Sequence, residues 1–152
     1  MSALFTRLAT PRDIDAVAAL FDDYRQFYEY PPDLQLATAF IRERMQRKES
    51  VIIVAEMQDR IVGFCQLYPA FCSLLAAPIF LLYDLYVSSE FRQLGAARAL
   101  LQAAEQHAEQ NGFARLDLTT AKTNTPAQSL YESLGWVRDE VFHAYSKTVR
   151  TG

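Results

Sequence analysis

A single change of period constrains this chain more than anything else in it. Between residues 81 and 112, LLYDLYVSSEFRQLGAARALLQAAEQHAEQNG, an alternating run gives way to a helical one. Tyr83, Leu85 and Val87 fall on one side of an extended segment, with Asp84 and Tyr86 on the other. Beyond it Ala97, Leu100, Leu101, Ala104 and Ala108 recur at helical spacing, and Asn111-Gly112 supplies a stop. Strand therefore passes into helix across Ser88 to Gly95.

That junction holds Arg92-Gln93-Leu94-Gly95-Ala96-Ala97, where a glycine and two alanines leave backbone N–H groups unobstructed at the first turn of a helix. Unpaired N–H groups and the positive end of the helix dipole point the same way there, so the turn attracts anions. Arg92 and, further along, Arg98 add full charges. Taken alone, one glycine before a helix is equally compatible with a plain turn. The spaced glycines of a dinucleotide fingerprint and the Gly-Lys-Ser/Thr of an ATP-binding loop are both missing.

The rest of the chain reads as alternating elements around this junction. Ala3 to Leu8 is a first strand, and Thr10-Pro11-Arg12-Asp13 carries the cap, proline and acid that start a helix. That helix turns Ile14, Val17, Ala18 and Phe21 inward. Asp22, Asp23, Tyr24, Phe27, Tyr28, Glu29 and Tyr30 then crowd together before Pro31-Pro32, which breaks any helix. A second helix is expected from about Asp33 to Lys48. Val51 to Glu56 and Ile61 to Phe71 are apolar strands joined at Gln58-Asp59, with Pro69 ending or edging the second. Ala76-Ala77-Pro78 is a turn into the strand Ile79 to Val87. After the long helix, Phe113 to Thr119 is a short strand, parallel to the one before because a helix crosses between them. Pro126 to Leu134 is a helix, and Trp136 to Thr148 a last strand or hairpin.

At 152 residues, 51% hydrophobic and 12% aromatic, the chain is long and apolar enough for one domain, 1–152, around one core. No charged-then-apolar leader opens it and no apolar run reaches the ~20 residues of a membrane span, which leads us to expect a soluble cytoplasmic protein. A net charge of −3 argues against nucleic acid and favours cationic partners. Cys65 and Cys72 read as reduced structural thiols and His107 and His143 as isolated, so no metal site is expected.

Two motifs give the pattern a family likeness. Arg92, Gly95 and Ala97 fill [Arg/Gln]-x-x-Gly-x-[Gly/Ala] directly after Leu85-Tyr86-Val87. Asn124, Ala127, Tyr131, Gly135 and Trp136 fill Asn-x-x-Ala-x-x-x-Tyr-x-x-x-Gly-[Phe/Trp] in order and spacing. Together they resemble the GNAT superfamily of N-acetyltransferases over roughly residues 81 to 136, with three consecutive antiparallel strands leading to the turn in the family order. Gln93 departs from the glycine usual after the arginine, which bears on the conformation of the turn. Within the family the sequence looks most like bacterial histone or polyamine acetyltransferase-like proteins.

The resemblance implies an α/β (α+β) fold with a mixed, mostly antiparallel sheet of about seven strands, about four helices and a splayed cleft for acetyl-CoA. Its cofactor contacts carry over to Leu85, Tyr86 and Val87, to Arg92, Gln93, Leu94, Gly95, Ala96, Ala97 and Arg98, and to Asn124 and Tyr131. The implied reaction is acetyl transfer to a primary amine, with Tyr131 as acid for the leaving thiolate. Asp84 stands either as a base, acting through water, or as a group that orients substrate or is merely paired. Tyr24, Phe27, Tyr28, Glu29 and Tyr83 either pack the helix on the sheet or line the acceptor site, where tyrosines and carboxylates suit an ammonium group. The acceptor is a small-molecule amine, a lysine or a protein N-terminus. An amino acid, an aminoglycoside or a non-catalytic acyl-CoA-binding role are the alternatives. A homodimer, supported by the aromatic-rich end of the chain, is the expected assembly.

Overall fold

The computed structural model describes residues 3–150. They fall into two compact units, one running to Thr119 and the other starting at Thr120.

The first unit is a five-stranded sheet in chain order, built of β1 (Phe5–Leu8), β2 (Val51–Met57), β3 (Arg60–Cys72), β4 (Ala77–Val87) and β5 (Leu116–Asp117). The first four are antiparallel neighbours, and β5 returns parallel to β4 after α3 (Ala96–Gln110). Helices α1 (Ile14–Phe27) and α2 (Leu34–Gln46) occupy the segment between β1 and β2. Val17, Leu20 and Phe21 of α1 and Ala37 and Ile41 of α2 close over Ile52, Val54 and Phe64 of the sheet. Alternate residues of β3 point the other way: the Cys65 thiol lies 4.0 Å from the Leu100 carbonyl of α3. The sheet is thus covered by helices on both faces, which explains why β2 and β3 are apolar almost throughout.

Pro31-Pro32 does separate two helices, and a buried acid fixes the corner. Asp22 accepts from the Asp33 backbone N–H at 2.9 Å and from Gln26 Nε2 at 3.2 Å, while Asp33 caps α2 through Leu36 N–H. Pro69 sits inside β3 opposite Phe80, beyond the last β2 pair at Leu67, where the strand is an edge and a missing N–H costs no ladder bond.

Two expectations fail among the described residues. The strand expected over Phe113 to Thr119 pairs only at Leu116 and Asp117, leaving the β4 edge from Leu82 to Val87 without a ladder partner on that side. No strand forms over Trp136 to Thr148, so the sheet has five strands rather than about seven. Asp139 turns the chain by accepting from Val141 and Phe142 N–H, Arg138 pairs with Glu140, and Val137, Val141, Phe142 and Tyr145 stay exposed. Alternation makes a strand only where another strand is there to pair with it. In this second unit α4 (Thr125–Ser133) starts as expected, with proline in its first turn.

An ion network closes the first unit at β1. Arg7 reaches Asp13 at 2.7 Å and Glu56 at 3.0 Å, and Asp13 also accepts from Thr10 N–H. The guanidinium holds the buried Asp13 carboxyl down at about 2. A depressed carboxylate stabilises the fold above its unfolded pKa and loses that contribution as pH falls through its folded value, so Asp13→Asn should cost about 1–2 kcal/mol at pH 7. In urea melts the gap to wild type should narrow as pH drops from about 4 towards about 2, and a gap independent of pH would rule out the ion pair as its source.

The cysteines should differ sharply. Burial pushes the Cys65 thiol up to about 12, whereas the Leu75 backbone N–H and the nearby Arg115 guanidinium lower that of Cys72 at the end of β3. At pH 8 a chromogenic disulfide should titrate Cys72 at once and Cys65 only after denaturation, with Cys72→Ser removing the native reaction.

Candidate active site

Strand β4 brings the site together because its ladder with β3 is irregular. Gln66 pairs with Asp84 and Leu67 with Leu82, so Tyr83 is an extra residue with no partner of its own. Simple alternation would set Tyr83 with Leu85 and Val87, away from Asp84. The bulge instead turns it to the side of Asp84: its ring meets that of Tyr68 at 5.7 Å, and Tyr24 and Tyr68 are both shifted by Tyr83 and Asp84 together. Leu82 and Asp84 are buried, and Tyr83 is 67% exposed.

Asp84 is 5% exposed, among tyrosines. Its Oδ2 accepts from Gln66 Nε2 at 2.7 Å, and Gln66 Oε1 in turn accepts from the Ser50 hydroxyl at 2.7 Å. The Tyr24 hydroxyl donates to the Tyr83 carbonyl at 3.1 Å and also favours the ionised carboxylate. Dehydration wins over both, raising the Asp84 carboxyl above the ordinary range. The same burial, then the neighbouring carboxylate, raises Tyr24 and Tyr68, so both phenols stay protonated at any working pH.

The ring of aromatics is continuous. Tyr24 lies edge-on to Tyr28 at 5.2 Å, to Tyr86 at 6.2 Å and to Phe64 at 6.4 Å. Of the candidates on α1 and its end, Tyr24 therefore faces the carboxylate region, and Tyr28 adjoins it through the Tyr24 ring. Phe27 reaches it only through the Tyr28 ring, and Glu29, left-handed at φ 67, ends the helix in solvent. Gln66, Ser50 and Tyr68 are additions that the sequence reading missed. Gln66 alone left a trace, as the one polar residue in the buried run Val62 to Leu67.

Three residues beyond Asp84, where β4 ends at Val87, the turn has the shape of an anion cradle. A short 3-10 turn, Ser89–Phe91, leads into Arg92, whose Nε donates to the Val87 carbonyl at 3.1 Å while its guanidinium lies 5.4 Å from the Tyr86 ring centroid. Gln93 at φ 63 and Gly95 at φ 89 are both left-handed. Gln93 thus adopts the conformation that a glycine would take there, at a cost of about 1 kcal/mol. No side chain caps α3 at Gly95, and the first helical bond of this end runs from Ala99 N–H to Gly95 O. The N–H groups of Ala96 and Ala97 therefore have no acceptor within the helix. Gln93, Leu94 and Gly95 are exposed and a Cβ at Gly95 would meet nothing within 4 Å, so the cradle is open to a ligand. Such N–H groups and an arginine clamped beside them fit a diphosphate.

The second unit carries the remaining candidates. Asn124 caps α4, its Oδ1 accepting from Ala127 N–H at 3.3 Å, and the Tyr131 ring lies 6.1 Å from that of Trp136. The Trp136 N–H returns to the Tyr131 carbonyl past Gly135, left-handed at φ 90, which is why the motif needs its glycine. Among the described residues no cluster of three potential ligands could hold a metal, and no helix is long and apolar enough to cross a membrane.

Comparison with known proteins places these features. The chain matches the Acetyltransferase (GNAT) family over residues 15–136. It is 43% identical over 143 residues to YhfO, an uncharacterised N-acetyltransferase of Bacillus subtilis (strain 168), covering 94% of this chain and 96% of that protein. The crystal structure of a probable acetyltransferase aligns with a TM-score of 0.90 at 38% identity, covering 97% of this chain and 99% of the other. An aminoglycoside N-acetyltransferase in complex with CoA shares the fold at a TM-score of 0.79 and 21% identity, over 97% and 96% of the two chains. Since the family match runs through both the strand–turn–helix junction and the Asn124 to Trp136 segment, the chain belongs to the GNAT family and is an N-acetyltransferase.

Proposed function

We propose that this enzyme transfers acetyl from acetyl-CoA directly to a primary amine of a small cationic, polyamine-like or lysine-bearing acceptor. The observation that carries the reading is the buried Asp84 carboxylate ringed by Tyr24, Tyr68 and Tyr83, with Tyr28 behind Tyr24, on the strand that leads to the anion cradle.

Bound acetyl-CoA supplies an activated thioester. The chain's own part is to hold and orient it: Arg92 and the N–H groups from Gln93 to Arg98 suit its diphosphate. The unpaired edge of β4 at Leu85 to Val87 offers backbone groups to its arm. Asn124 is assigned to the same arm by its motif.

The acceptor has to lose a proton. An amine of pKa near 10.4 is neutral only about one time in a thousand at pH 7.4, so a base is useful. Burial makes Asp84 a stronger base than an ordinary carboxylate, and the tyrosine faces receive the cation before it is deprotonated. Activity should therefore fall as pH drops through the Asp84 pKa. At the leaving group, Tyr131 is assigned as proton donor to the thiolate. That transfer is uphill by about 1.5 pKa units, or about 2 kcal/mol, a small part of a whole barrier.

Thiol release from acetyl-CoA, followed in a Cys72→Ser background over spermidine, spermine, diamines, amino acids, aminoglycosides and lysine peptides, tests the reading. Release confined to the cationic amines is expected, and silence across the panel despite tight acetyl-CoA binding would overturn it. Gly95→Glu places a carboxylate in the cradle and should weaken acetyl-CoA at least about a hundredfold by calorimetry, against a severalfold loss for Gly95→Ala, which carries the backbone strain alone. Equal effects of the two would remove the diphosphate assignment. Tyr131→Phe should lower kcat about a hundredfold with acetyl-CoA affinity unchanged, and full turnover would remove tyrosine as the acid.

A further inference from the structure

We infer that Gln66, anchored by Ser50, is the positioning residue that aims the Asp84 carboxylate and keeps it ionised. The inference rests on the reading of Asp84 as the acceptor's base.

The bonding allows one orientation for the ionised site. A carboxylate has no proton to give, so the amide NH2 of Gln66 must face Asp84, its Oε1 must face Ser50, and the Ser50 hydroxyl must donate. The two bonds of 2.7 Å have that polarity. Gln66 is fully buried at the middle of β3, directly opposite Asp84 across the ladder and beside the bulge, so neither side chain can swing aside. An amide does not ionise and conducts protons poorly. The Ser50–Gln66–Asp84 line is therefore a clamp and not a wire to solvent, and the proton that Asp84 takes must leave on the substrate side.

A neutral partner suits this role better than an ionic one. A lysine or arginine at position 66 would hold the carboxylate ionised so firmly that it could no longer accept a proton near neutral pH. The amide offsets part of the dehydration and leaves Asp84 titratable. The other titratable groups facing it are Tyr24 from α1, Tyr68 from β3 and Tyr83 from β4; Tyr28 lies behind Tyr24, Cys65 acts from the opposite face of the sheet, and Arg44 of α2 and Glu49 act at the Tyr68 end. Tyr24 also favours the ionised form, its one hydroxyl proton being shared with the Tyr83 carbonyl. Removing Gln66 leaves that bond and takes away the one that can be altered without touching the tyrosine ring.

The test uses the full chain with acetyl-CoA and the best amine of the panel. Gln66→Met keeps the volume and removes the donor; it should move the acid limb of kcat/KM up by about one pH unit, so that activity falls about tenfold below the limb and recovers above it. The acetyl-CoA KM should stay put. Ser50→Ala, at a half-buried position that packs nothing large, should move the limb in the same direction by less, and it keeps the test alive if Gln66→Met folds poorly. Gln66→Asn, able to donate again, should restore part of the shift.

Carbon-13 NMR titration of the Asp84 carboxylate supplies a readout independent of turnover. A raised Asp84 pKa in Gln66→Met and Ser50→Ala with a matching kinetic limb supports the inference. An unmoved carboxylate, or loss of activity equal at every pH, overturns it in favour of simple packing. A moved carboxylate with an unmoved kinetic limb sustains the clamp and overturns the role of Asp84 as base.

Discussion

A carboxylate taken out of water and set in the middle of a sheet is the constraint around which the rest of this structure is arranged. Dehydrating an ion costs several kcal/mol, and among the described residues no cation is paired with Asp84 to offset it. What offsets it is a set of neutral dipoles: an amide across the ladder and a phenol from α1. That choice explains the placement of α1, whose last turns bring Tyr24 over β4 and Tyr28 against Tyr24, and of the Asp22–Asp33 corner that lets α2 start where it does. It also leaves the carboxyl less acidic than usual, which is the useful condition for a group that has to collect a proton near neutrality.

The anion cradle just beyond β4 works by the opposite means. There the backbone is strained and exposed instead of buried, with two left-handed residues and an uncapped helix start that direct N–H groups outward. Arg92 is tied back to the strand by the Val87 carbonyl and the Tyr86 ring, so its charge is held in place before any ligand arrives. Tyr86 therefore touches both arrangements: one face of the network reaches Arg92 and the other reaches Tyr24. The carboxylate site and the cradle adjoin through that ring.

Much of this was legible in the sequence. The change of period at Ser88 to Gly95 and the Pro31-Pro32 break depend on neighbours close in the chain and hold in the structure, and the two motifs, equally local, lie inside the family match. What escaped was set by distant neighbours. Gln66 gains its meaning from Asp84, 18 positions away, and the bulge at Tyr83 exists only by comparison with the strand opposite. The last strand failed for the converse reason: Val141, Phe142 and Tyr145 suit a sheet, but among the described residues no strand pairs with them. Within the cluster at the end of α1, composition alone could not separate Tyr24, which turns to the carboxylate, from Glu29, which a left-handed backbone carries into solvent.

The bulge on β4 has a consequence for how this strand can change. Side chains normally carry the information of an active site, but here the count of residues carries part of it. The extra position between Leu82 and Asp84 puts the aspartate opposite Gln66 while Leu82 keeps its place opposite Leu67. Deleting Tyr83 would restore even pairing with no slide, leaving Asp84 opposite Gln66 and Leu82 opposite Leu67. What would go is the Tyr83 ring beside Tyr68 and the Tyr83 carbonyl that takes the Tyr24 hydroxyl, so the carboxylate would keep its place and lose part of its surround. A related chain one residue shorter here would keep the Gln66–Asp84 pair and change the aromatic wall around it.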